Sequence, residues 1–105
     1  MSKAEKNPPP IAELDRLIHE PARMLICALL YPLKEADFLY LLTQSELSKG
    51  NLSSHLAKLE EARYVAIEKR FKGKVPQTLC KLTDLGRAAF VRYRKSLKEV
   101  ARRLG

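Results

Sequence analysis

The chain has 105 residues, 46% of them hydrophobic and 30% charged, with 20 Lys and Arg against 12 Asp and Glu and a formal net charge of +8. Its length is that of one folded domain and excludes a two-lobed enzyme; its apolar content excludes a disordered chain; its longest apolar stretch, Met24 to Leu33, falls well short of the roughly 20 residues a membrane-spanning helix needs. The charge is uneven: residues 1–62 hold seven bases and nine acids, whereas residues 63–105 hold thirteen bases against Glu68, Asp84 and Glu99, a distribution that suits a polyanionic partner, usually nucleic acid.

Residues 1–10 are polar, with Pro8, Pro9 and Pro10 in a row. They are expected to form a flexible tail and lack the apolar centre of a secretory signal. Residues 11–105 are expected to form the folded domain. Ile11, Leu14, Leu17 and Ile18 have helical spacing, which predicts a short amphipathic helix over 11–18. Pro21 suits the first turn of a second helix, and Ala22 to Tyr31 is apolar almost all round, so this helix belongs at the centre of the core until Pro32 ends it. Asp37 can cap a third helix, Phe38 to Thr43. A tight turn, Gln44 to Leu47, then leads to Ser48, the cap of a fourth helix over Lys49 to Ala62. In that helix Leu52, Leu56 and Leu59 form one inward stripe, and two helices joined by a short turn with one buried Leu make a helix-turn-helix.

Val65 to Phe71 alternates, with Val65, Ile67 and Phe71 on the buried face and Ala66, Glu68 and Arg70 on the other, which predicts a strand. Lys72 to Pro76 is the turn and Gln77 to Leu82 the return strand of a β-hairpin with a basic tip. Thr83 caps a last helix, about 84–104, in which Phe90, Tyr93, Leu97, Val100 and Leu104 are spaced 3, 4, 3, 4 as a heptad seam. No strand ahead of Asp37 is visible in the pattern.

This order resembles the winged-helix transcriptional regulators, and most of all the short MarR/ArsR-like DNA-binding domains. The run Ser48-Lys49-Gly50-Asn51-Leu52-Ser53-Ser54-His55-Leu56 carries most of the likeness. Ile18 to Arg23, Pro76-Gln77-Thr78 and Leu82 to Arg87 support it, and it spans about residues 11–103. Arg63 departs from the family pattern, which has Gly at the end of the recognition helix. The resemblance implies a mainly α fold with a small β-hairpin wing, a long C-terminal dimerisation helix, and a cytoplasmic homodimer acting on double-stranded DNA. The operator would be near-palindromic, with half-sites about 10 base pairs apart.

Within that reading, the helix over 49–62 enters the major groove. Gly50 permits close approach, Asn51 can pair with adenine, Ser53 and Ser54 can meet bases or phosphates, Lys49 and Lys58 lie at the phosphates, and Ser48, the helix cap, counts among the DNA-binding residues. His55 sits at the edge of the apolar stripe, where it either bonds a phosphate or supports the helix-turn-helix packing. The wing, about 69–76, offers Lys69, Arg70, Lys72 and Lys74 to the backbone or the minor groove, with Gly73 as the turn residue. The expected dimer interface is Ile11, Leu14 and Ile18 with Phe90, Tyr93, Leu97, Val100 and Leu104; the alternative is that this seam folds back on its own core.

Enzymatic readings find no support. GxGxxG, GxxxxGK[ST], HExxH and GxSxG are absent, and Ser53, Ser54 and His55 diverge from one helix instead of converging. No metal or other cofactor is expected, Cys27 and Cys80 are expected to be inert, and His19 is expected to be structural. No effector ligand can be named. A protein-interaction module and a non-specific architectural DNA binder are the alternatives, but the small polar helix face and the basic wing favour sequence-specific DNA binding.

Overall fold

The structure, a computed structural model, describes residues 14–105. Its elements are α1 Pro21–Leu30, β1 Ala36–Asp37, α2 Phe38–Ser45, α3 Lys49–Glu61, β2 Val65–Lys72, β3 Val75–Leu82 and α4 Asp84–Leu104. Each helix begins where a side-chain oxygen accepts N–H groups that the first turn leaves unpaired. Glu20 accepts from Ala22 and Arg23 ahead of Pro21, Asp37 from Tyr40, Ser48 from Asn51, and Thr83 from Gly86. Asp37, Ser48 and Thr83 are the caps expected from the sequence.

The helix expected over 11–18 is not present in its described part. Residues 14–18 form a turn in which the Asp15 carboxylate accepts the N–H groups of Leu17 and Ile18 at 2.9 and 3.2 Å. A short acidic side chain that bonds nearby backbone in this way competes with the helix for the same donors. Ile11 and the tail over 1–10 lie outside the described residues. Leu14 and Ile18 are buried, as their spacing implies.

The sheet is antiparallel with order β1-β3-β2. β1 pairs Ala36 with Cys80 and Asp37 with Leu79. Two residues are too few to show a period, so this strand leaves no mark in the sequence pattern. The hairpin is longer and tighter than expected: Lys72 pairs with Val75, leaving Gly73 and Lys74 as a two-residue loop. Gly73 has φ 65, and a positive φ at the first loop position is what a type II′ turn requires. Pro76 falls opposite Phe71, one pair beyond the loop, where residues do not exchange ladder hydrogen bonds, so its missing N–H costs no bond to β2.

The core gathers Ile18, Ile26, Leu30, Leu41, Leu52, Leu59, Val65 and Tyr93 from all the helices, the sheet and the 14–20 turn. Each such side chain contributes roughly 1.5–3 kcal/mol by leaving water. One junction fixes the wing against α3. At the end of α3, Arg63 N–H donates to Glu60 O and Tyr64 N–H to Leu59 O, the Schellman pattern, with Arg63 left-handed at φ 65. Thr83 then donates its N–H to Tyr64 O at 3.0 Å and its hydroxyl to Arg63 O at 2.6 Å. Gly86 is pressed onto the same peptide: a Cβ there would lie 2.0 Å from Tyr64 O.

Candidate nucleic-acid interface

α2 ends at Glu46, which takes a left-handed conformation with φ 57, and Leu47 tucks half-buried into the turn before Ser48. The single apolar turn residue is thus where the helix-turn-helix reading put it. α3 buries Leu52, Leu56 and Leu59 and exposes Gly50, Asn51, Ser53, Ser54, Ala57 and Lys58. The Ser48 hydroxyl accepts the Asn51 N–H at 3.1 Å, so it is engaged at the helix start and has only its own hydrogen left to give a ligand.

An open groove of about 440 Å³ runs between α3 and the hairpin. Lys49, Gly50, Ser53 and Ala57 line it on the helix side, Ile67, Lys69 and Thr78 on the sheet side. This shared wall brings Lys49 and Lys69, twenty positions apart in the chain, to one surface. In a neighbouring hollow lined by Phe38, Lys49 and Gln77, the Asp37 carboxyl is held below the usual carboxylate range by the Tyr40 N–H and then by the Gln77 amide.

Two expected DNA contacts are placed differently. The His55 ring lies between Arg23 and Glu20: Arg23 donates to Nδ1 at 3.0 Å, and Nε2 stands 3.5 Å from the Glu20 carboxylate. Both ring nitrogens are therefore turned to the α1 N-terminus, which is the packing alternative and not the phosphate one. Burial works against the Glu20 charge, but the Ala22 and Arg23 N–H donors and the neighbouring His55 and Arg23 hold its carboxyl below its ordinary range. Arg70 is the second. Its guanidinium bonds both oxygens of Glu35 at 3.1 Å and the Glu68 carboxylate at 2.7 Å. These pairs sit on the face of the hairpin turned away from Lys69, because neighbouring strand residues point to opposite sides. Arg70 is thus matched by two carboxylates, while Lys69, Lys72 and Lys74 form no ion pair among the described residues.

α4 corrects the expected dimer seam. Phe90 and Tyr93 are 5% and 2% exposed within the single chain, and Leu14 and Ile18 are buried there too. Tyr93 bonds His19 Nδ1 at 2.8 Å through its hydroxyl, and Phe90 packs on Tyr31 with ring centroids 5.4 Å apart. These four residues have no surface left for a partner because the first half of α4 lies on its own core. Leu97 and Val100 are half-buried and Leu104 is exposed. Arg87 donates to Tyr31 O at 2.7 Å, and Arg87 and Arg94 lie 5.0 and 5.2 Å from the Tyr31 ring centroid, so both brace α4 against α1.

Burial pushes the Cys27 thiol up to about 12 and the Cys80 thiol up to about 11. Neither offers a thiolate at neutral pH. Sequence reasoning missed Glu20, Arg23 and Glu35. Glu20 carried a signal, its position just before Pro21; the other two act on residues 32 and 35 positions away, and no spacing rule reaches that far.

The sequence profile of a family described as winged helix DNA-binding domain matches residues 22–101. The chain is 42% identical over 79 residues to an uncharacterised protein of Methanocaldococcus jannaschii, covering 74% of this chain and 85% of that one. Among solved structures it is similar to a transcriptional regulator homologue from Pyrococcus horikoshii OT3, at TM-score 0.81 and 31% identity, covering 86% of this chain and 89% of that one. It also has the fold of NadR, solved in complex with 4-hydroxyphenylacetate, at TM-score 0.71 and 21% identity, covering 90% of this chain and 67% of that one.

Proposed function

The chain belongs to the winged helix DNA-binding domain family, and from that premise we propose that it is a sequence-specific transcriptional regulator that binds double-stranded DNA as a homodimer. The observation that carries this reading is the shared surface of α3 and the wing. A helix face of Gly50, Asn51, Ser53, Ser54 and Ala57 is slim enough to enter a major groove about 12 Å wide, and its amide and hydroxyls can read base edges. Lys49, Lys58 and Lys69 border that face and meet phosphates, which sets the register without reading sequence. Lys72 and Lys74 extend the same charge to the wing tip. His55 holds α3 to the start of α1, and Arg70 braces the wing to Glu35; neither is needed at the DNA.

The homodimer rests on the second half of α4. Leu97, Val100 and Leu104 continue the heptad seam beyond Tyr93; Leu97 and Val100 pack partly on the chain's own core and remain only half-buried, and Leu104 is exposed, so the 21-residue helix keeps an apolar edge that a partner can cover. A two-fold pair joined there presents two α3 helices to a near-palindromic site. Among the described residues no helix is long and apolar enough to cross a membrane.

The test is replacement of Asn51 and Ser54 together by Ala. Sequence preference should relax, by about 1–3 kcal/mol for each bidentate bond to a base that is removed, while non-specific affinity and its salt slope stay as they were. An unchanged preference in a folded variant would show that this face does not read the bases.

A further inference from the structure

Phe71 and Val75 stand at the wing tip with 75% and 65% of their surface exposed. From the alternation of the sequence, Phe71 belongs on the buried face of its strand; the hairpin carries it past the end of the core instead. The register sets Phe71 opposite Pro76 on the side of the sheet that bears Lys69, and Val75 opposite Lys72 on the other side. Phe71 therefore points to the same side as the groove beside α3, beyond Lys69 and further from the helix. The tip itself is only two residues wide, Gly73 and Lys74.

Charge decides what such a point fits. Lys69, Lys72 and Lys74 surround it and form no ion pair among the described residues, whereas the charge of Arg70 is matched by Glu35 and Glu68 on the other face. An aromatic ring set among lysines that form no close ion pair suits a slot walled by phosphates on both sides. The minor groove of a duplex, about 6 Å wide, is such a slot, and it admits a narrow hairpin tip but no helix. Apolar side chains entering it part the stacked bases and bend the duplex, most easily at flexible pyrimidine–purine steps.

Resting on the DNA-binding reading above, we propose that Phe71 is an apolar wedge that enters the minor groove beside the bases faced by α3 and unstacks the step it meets. Val75 and Pro76 lie against the deoxyriboses, and Lys72 and Lys74 against the flanking phosphates. Part of the site preference then comes from how readily that flanking step deforms, at a position no hydrogen bond reads.

The experiment uses the full chain and a duplex recovered by selection from random sequence, with 2-aminopurine placed at successive flanking steps. On binding of the wild-type protein, fluorescence should rise at one step in each half-site. Phe71→Ala should abolish that rise and weaken binding about 10-fold with the salt slope unchanged, because an apolar contact releases no counterions. Phe71→Leu should keep most of both. Lys72→Ala should lower the slope by about one for each protomer and keep the rise. Phe71 is exposed, so thermal melting of its variants should match the wild type and confirm folding. Wild-type binding with no fluorescence rise, or Phe71→Ala binding as tightly as the wild type, overturns the wedge and leaves DNA binding standing. A smaller sedimenting mass for Phe71→Ala assigns the patch to a second copy of the chain and also overturns it. Failure of the wild-type protein to recover any duplex overturns the DNA-binding reading itself.

Discussion

Gly86 is the residue on which the relative placement of α3, the wing and α4 most depends. Its backbone is pressed onto Tyr64, and an added Cβ would lie 2.0 Å from a carbonyl oxygen that cannot rotate aside. Gly86→Ala should therefore cost about 3 kcal/mol or more, through strain and through loss of the Thr83 bonds to Tyr64 and Arg63. Urea unfolding reads this as a lower midpoint at unchanged slope, and a loss below about 1 kcal/mol would contradict the assigned packing. Arg63 shows what single residues disclose in the sequence. Its place at the end of α3, where the family has Gly, marks a left-handed residue, and φ is 65 there. The partners of His55 and Arg70 were not legible in the same way. Glu20, Arg23 and Glu35 meet them only because α1 and the 33–37 connection fold against α3 and the sheet.

At the scale of elements, the helix-turn-helix and the hairpin were readable because each is local. A cap, an apolar stripe and a period of two all lie within a few turns of chain. β1 was not readable, since it is a strand only through its pairing with β3. The faces of the wing were half readable: alternation set Arg70 apart from Ile67, but only the fold supplies the Glu35 carboxylate that occupies Arg70. This separates two neighbours that composition alone treats as equals. Lys69→Ala should lower the salt slope of DNA binding by about one for each protomer, about two for the dimer, whereas Arg70→Ala should leave the slope unchanged. Its effect on stability should be small, because the Arg70 pairs lie at the surface, where water screens them. Equal slopes for the two variants in a salt titration would contradict the separate roles of the two faces.

For the whole molecule, the heptad seam of α4 divides into two parts. Phe90 and Tyr93 belong to the chain's own core, where Tyr31 and His19 meet them, and periodicity could not distinguish a seam facing its own domain from one facing a partner. Leu97 and Val100 pack partly on the same core, and what a second copy would bury is their remaining surface together with the exposed Leu104. Leu97→Glu should yield a monomer by sedimentation equilibrium, with some loss of stability because Leu97 also packs on its own core, whereas Leu104→Glu, at an exposed position, should give the monomer with the core intact; in both, DNA affinity should fall steeply as one half-site is lost. A dimer that persists would move the interface elsewhere on the chain. The basic half of the sequence is not one surface: Arg87 and Arg94 hold α4 to Tyr31, Arg102 and Arg103 pair with Glu99, and Lys69, Lys72 and Lys74 at the wing form no ion pair among the described residues.

The most direct test of the account is binding to random-sequence duplex DNA across a range of salt, followed by selection of the bound sequences. A steep fall of affinity with salt, together with recovery of a near-palindromic motif whose half-sites lie about 10 base pairs apart, is the result the account predicts. Absence of binding at about 50 mM salt, where phosphate contacts are strong, or steep binding that selects no motif, would contradict it.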